Sequence, residues 1–141
     1  MAPRLALSQI TVGKAMHPGV LTCPPDTPLR TVARMMAAYR VHCIVVFGDP
    51  EDRDADGRLW GIVSDLDLVA ALGSDVDERT AGGTAATPVV TTTPDEKLDR
   101  AAQLMREHST AHLVVVDSEG QRPLGVLSTL DIAKALAGEL A

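Results

Sequence analysis

The apolar positions of this chain fall into two runs that repeat one another. Leu29, Val32, Ala33 and Met36 stand at i, i+3, i+4 and i+7, and Leu98, Ala101, Ala102 and Met105 repeat the spacing. It gathers apolar side chains on one helical face, so it predicts an amphipathic helix in each half. Asp26 and Asp95 stand where N-cap residues are expected, with Pro28 in the first turn of the first helix. Further on, Ile44-Val45-Val46-Phe47 aligns with Leu113-Val114-Val115-Val116. Short continuous runs rich in β-branched residues predict strands buried on both faces.

A polar turn follows in each half, GDPEDRDADGR at 48–58 and DSEGQRP at 117–123. A second short strand is expected at 59–63 and at 124–127, after a hairpin connection. Short extended pieces precede each first helix, at Val20-Leu21-Thr22 and Val89-Val90-Thr91. The order in each half is therefore strand, helix, strand, strand, helix. Residues 73–86, with Gly82-Gly83 and several small residues, read as linker that runs into the start of the second repeat at residue 80. Residues 1–10 read as an extension ahead of the repeat.

Composition narrows the function. The chain has 141 residues, 45% of them apolar but only 2% aromatic, so its core is aliphatic. Single-stranded nucleic acid is usually gripped by several aromatic platforms, which this chain lacks. Its net charge of −6 opposes non-specific attraction to nucleic acid or an acidic membrane surface. No run approaches a membrane span, and the start lacks the apolar core of a signal peptide. Cys23 and Cys43 form no CxxC pair, and two such thiols fit a reducing cytoplasm.

The closing phrase of each half carries the chemistry. Residues 61–72 read GIVSDLDLVAAL and residues 125–136 read GVLSTLDIAKAL. Two β-α-β-β-α units, each with Gly-h-h-Ser-x-x-Asp (h, apolar) before its last helix, resemble a tandem pair of CBS domains, also called a Bateman module. The resemblance covers residues 11–72 and 80–138 and leaves no catalytic domain over. It implies an α/β fold of two pseudo-symmetric units forming one module. It also implies a regulatory or sensor role rather than an enzyme, and a homodimer built through helices, with Leu68, Val69 and Leu72 as candidate contacts.

Ser64-x-x-Asp67 and Ser128-x-x-Asp131 fit a helix-capping box, although Asp is shorter than the Glu or Gln that usually completes one. The same geometry could seat a ligand. A helix N-terminus favours phosphate, and an ionised carboxylate accepts hydrogen bonds from adjacent ribose hydroxyls. In CBS pairs that bind adenosyl ligands the motif works this way. Carried over, Asp67 and Asp131 become ribose anchors, and Ser64 and Ser128 phosphate contacts. The resemblance places the other wall of each site on the opposite repeat. Thr93, Leu98, Ala111 and His112 would then face the first motif, and Pro24, Leu29, His42 and Cys43 the second, with the aliphatic residues among them sandwiching adenine. The implied ligand is AMP, ADP, ATP or S-adenosylmethionine.

Arg40 and Lys134 are the only cations near the implied phosphate end, and that scarcity disfavours a triphosphate. Asp65 in the first motif becomes Thr129 in the second, which removes a negative charge and favours the second site. The run Asp52-x-Asp54-x-Asp56-Gly57 begins like a calcium loop, but position 12 is Val63 rather than glutamate. Four histidines and two cysteines show no zinc spacing, and no nucleophile elbow or P-loop occurs. No cofactor is expected. The rival reading is a ligand-free dimerisation and interaction scaffold whose Ser-x-x-Asp boxes are only caps.

Overall fold

The computed structural model describes residues 6–48, 58–119 and 122–139. After a 3-10 turn at Leu7–Gln9, the elements run α1 (Val12–Ala15), β1 (His17–Pro18), β2 (Thr22–Cys23), α2 (Leu29–Tyr39), β3 (Cys43–Phe47), β4 (Leu59–Ser64) and α3 (Asp65–Ala71). A second 3-10 turn at Val76–Glu78 leads to α4 (Ala81–Thr84), β5 (Thr91–Thr92), α5 (Leu98–His108), β6 (His112–Val116), β7 (Pro123–Ser128) and α6 (Thr129–Leu136). Strand, helix, strand, strand, helix is thus observed twice. The acidic run Asp52, Asp54 and Asp56 lies outside the described residues.

The chain divides into two compact units, one formed by Leu21–Val89 and the other by Met1–Val20 with Val90–Ala141. Spatial boundaries therefore differ from the sequence repeat. Residues 6–20 pack with the second repeat, and residues 73–89 with the first.

In the first-repeat unit, β2 pairs parallel with β3 and β3 antiparallel with β4, placing Cys43 opposite Ser64. The α2 crossover makes the parallel pairing possible, and a hairpin makes the antiparallel one. Leu29, Val32 and Met36 bury the predicted helix face against Ile44, Val46 and Val63, while Ala33 is only half-buried. The segment read as linker is tied down. The Arg30 guanidinium lies 2.7 Å from Asp77, holding that carboxyl below the usual carboxylate range through a hydrogen bond and its charge. Trp60 Nε1 donates to the Gly82 carbonyl at 3.1 Å, and Ala81 is buried.

In the second-repeat unit the sheet order is β1-β7-β6-β5. Leu98, Ala101 and Met105 of α5 pack with Leu113, Val115 and Leu127, and Ile10, Val12 and Ala15 join them. Ile10, at the end of the extension, is therefore part of this core.

Asp26 and Asp95 are not the N-caps. Pro28 and Lys97 hold those positions without side-chain caps. The first helical N–H groups find backbone partners instead: Leu29 N donates to the Arg79 carbonyl at 3.0 Å, and Leu98 N to the Ile10 carbonyl at 2.9 Å. A segment distant in sequence satisfies the donors that a local side chain was expected to satisfy.

The glycine that opens each closing phrase has a steric cause. A Cβ at Gly125 would collide with the His17 carbonyl of β1, and one at Gly61 would lie 2.8 Å from the Ala86 carbonyl. Glycine allows this close approach, which brings His17 opposite Val126 and Ala86 opposite Ile62. His17 and Ala86 are thus equivalent positions of the two units.

Candidate functional site

Both Ser-x-x-Asp phrases fold as reciprocal capping boxes. At the start of α3, Ser64 Oγ accepts from Asp67 N at 3.2 Å, while Asp67 Oδ2 accepts from Ser64 N at 2.8 Å and from Ser64 Oγ at 3.0 Å. At the start of α6 the corresponding distances are 3.3, 2.8 and 3.1 Å for Ser128 and Asp131. Aspartate is therefore long enough to complete the box. Each serine proton is directed to its own aspartate, and a hydroxyl has only one proton to donate. Ser64 and Ser128 can reach a phosphate only by opening the box.

The second carboxylate oxygen distinguishes the copies. His17 Nδ1 lies 3.2 Å from Asp131 Oδ1, and Asp131 is only 2% exposed. The equivalent of His17 in the first-repeat unit is Ala86, which has no polar side chain. Among the described residues no side chain partners Asp67 Oδ1, and Asp67 is half-buried rather than closed off. The sequence reading passed over His17. Extending the repeat alignment backwards sets Met16-His17-Pro18 on Ala85-Ala86-Thr87, a signal that was present but lay ahead of the motifs.

The other site residues divide. Cys43 and His112 are equivalent, each first in its strand and each opposite a box serine, Ser64 and Ser128. His42 and Ala111 are equivalent one step earlier, and their carbonyls accept from Asp65 N at 2.9 Å and from Thr129 N at 3.0 Å. Pro24 is exposed and Thr93 half-buried, both just beyond the first strand of their repeat. Leu29 and Leu98 are fully buried in the cores of their units. The helical face that carries them is the face that packs the sheet.

His42 Nδ1 lies 2.8 Å from Asp65 Oδ2, and Asp65 Oδ1 accepts from Leu66 N at 2.8 Å. The extra negative charge of the first motif is thus held by a histidine and a helix N–H. Burial, with Asp65 adding to it, pushes the Cys43 thiol up to about 12, so it stays protonated and a poor nucleophile near neutral pH. Burial also raises Cys23. Lys134 stands in the last turn of α6 rather than near its N-terminus. Among the described residues, no three His, Cys, Asp or Glu side chains gather to hold a metal. No helix there is long and apolar enough to cross a membrane.

The duplicated box, the two equivalent strand pairs and the repeat order agree with one family model, the CBS domain, which matches residues 12–74 and 84–138. This chain belongs to the CBS domain family. Among solved CBS structures, the CBS domain protein PAE2072 from Pyrobaculum aerophilum, complexed with AMP, is 29% identical; the match covers 94% of this chain and all of that one, with a TM-score of 0.76. The CBS domain pair of protein MJ0100, in complex with 5′-methylthioadenosine and S-adenosyl-L-methionine, shares the fold at 21% identity. Its TM-score is 0.78, over 92% of this chain and 97% of that one.

Curated relatives are longer. A homoserine O-acetyltransferase of Methanohalophilus mahii is 29% identical over 94% of this chain, yet the match spans 26% of that protein. The chain spans about a quarter of the length of that relative.

Proposed function

We propose that this CBS pair is a regulatory module that binds an adenosine-containing ligand through its Ser-x-x-Asp aspartates. The observation that carries this reading is the carboxylate left over after capping. Asp67 Oδ2 is filled by the box, while Oδ1 has no side-chain partner among the described residues. An ionised carboxylate oxygen can only accept, and a ribose hydroxyl is a donor suited to it. The AMP complex of the 29% identical relative supports the ligand class. The polar contacts favour a ligand of low charge, AMP or S-adenosylmethionine, over ATP, because the box hydroxyls are engaged. Binding would act by favouring one arrangement of the chain or its dimer, which requires different affinities for the two arrangements. Leu66 and Val69 on α3 and Leu72 just after it, with Leu130 and Leu136 on α6, are exposed apolar residues suited to a homodimer contact. Leu68, by contrast, packs against the first-repeat core.

Calorimetric titration with AMP, ADP, ATP and S-adenosylmethionine tests the proposal. AMP or S-adenosylmethionine is expected to bind more tightly than ATP, and the double variant Asp67→Ala/Asp131→Ala to lose the heat. No binding by any of the four would leave the boxes as helix caps and the protein as an interaction scaffold.

A further inference from the structure

From the unequal surroundings of the two boxes we infer that His17 is a latch on the second one, so that Asp67 is the open ligand anchor and Asp131 the closed one. The inference rests on the diol-anchoring reading above. Asp131 Oδ2 receives two hydrogen bonds, from Ser128 N and Ser128 Oγ, which fills its acceptor sites. Asp131 Oδ1 faces His17 Nδ1 at 3.2 Å, and the residue is 2% exposed although the His17 side chain itself is 68% exposed. A ligand hydroxyl reaches Asp131 only after the imidazole moves. The ring's exposure gives it somewhere to go.

Its position is set by the backbone rather than by chance contact. The Gly125 approach and the β1–β7 register hold His17 opposite Val126, two residues before Ser128. Equivalent pairing in the other unit holds Ala86 opposite Ile62, and a methyl group there cannot reach a carboxylate. One residue difference therefore separates an open anchor from a latched one. This reverses the ranking that the Asp65 and Thr129 difference supports. Asp65 already faces His42 at 2.8 Å and is exposed, so its charge is both paired and screened by solvent. A direct competitor on the anchoring oxygen acts at shorter range.

Reciprocal substitutions in the full chain, titrated with AMP and with S-adenosylmethionine, test the latch. In the wild type, Asp67→Ala is expected to weaken the tighter site about tenfold or more, and Asp131→Ala to leave it nearly unchanged. His17→Ala is expected to tighten the second site about three- to tenfold, and Ala86→His to weaken the first by a similar factor. A purely structural role for His17 would change the melting temperature without this site-selective exchange. A larger loss from Asp131→Ala than from Asp67→Ala, or unchanged sites in His17→Ala, would overturn the latch while leaving ligand binding intact. Absence of binding in every variant would end the binding reading itself. The ring-nitrogen resonances of His17 in ligand-free protein then decide whether the contact exists: Asp131→Asn is expected to shift them, and unchanged resonances rule the latch out.

Discussion

Leu98→Ala is expected to lower the free energy of unfolding by about 2–5 kcal/mol, with Leu29→Ala close behind, as read from urea denaturation. Both side chains are fully buried. Each lies at the start of a long helix whose apolar face covers its sheet, within a cluster of aliphatic residues. Truncation removes buried apolar area and leaves a cavity that close-packed neighbours only partly fill. The same measurement separates core from ligand wall. As walls of an adenine slot, these leucines would affect affinity while unfolding changed little. As core residues, they set stability. Unchanged urea midpoints with weakened ligand binding would contradict their placement.

Gly125→Ala is expected to cost about 1–3 kcal/mol, the range of an overpacked site. The added methyl would meet the His17 carbonyl, and it would lie 3.0 Å from the Met16 sulfur. Sulfur at the end of a flexible side chain can move aside; a paired backbone carbonyl cannot without loosening β1 from β7. Gly73→Ala is the control, since nothing lies within 4 Å of a Cβ there, and it is expected to change stability by less than about 0.5 kcal/mol. Equal effects of the two substitutions would show that the close approach of β1 is not what requires glycine. Loosening β1 also draws His17 away from Asp131, so Gly125→Ala is expected to shift ligand affinity at the second box in the direction of His17→Ala.

The repeat and its elements were readable because periodicity reports burial, and burial decided both helices and all four central strands. The boundaries of the units were not. Repeats are recognised along the chain, whereas Ile10 and Arg79 cap helices far from them in sequence through backbone carbonyls, which carry no residue signature. Gly82-Gly83 resembled a linker for the same reason, since a turn signal and a close-packed backbone both call for glycine. At the site, the Ser-x-x-Asp boxes were identifiable from spacing. Their internal hydrogen bonds follow from Ser and Asp chemistry, but the engagement of the serine protons does not, because spacing fixes position rather than hydroxyl orientation. Leu29 and Leu98, expected on a ligand wall, lie in the cores of their units, where helix periodicity also places them. His17 was missed because two-residue strands such as β1 lie below the length at which alternation can be read.

The anchoring role of the leftover carboxylate oxygen is tested most directly by leaving the protein untouched and altering the ligand. Calorimetric affinities of wild-type protein for AMP, 2′-deoxy-AMP and 3′-deoxy-AMP isolate each hydroxyl that Asp67 would accept. Loss of a hydrogen bond to a charged acceptor costs about 1.5–3 kcal/mol, so at least one deoxy analogue is expected to bind roughly tenfold or more weakly than AMP. Equal affinity for all three would contradict the assignment of Asp67 as a ribose anchor.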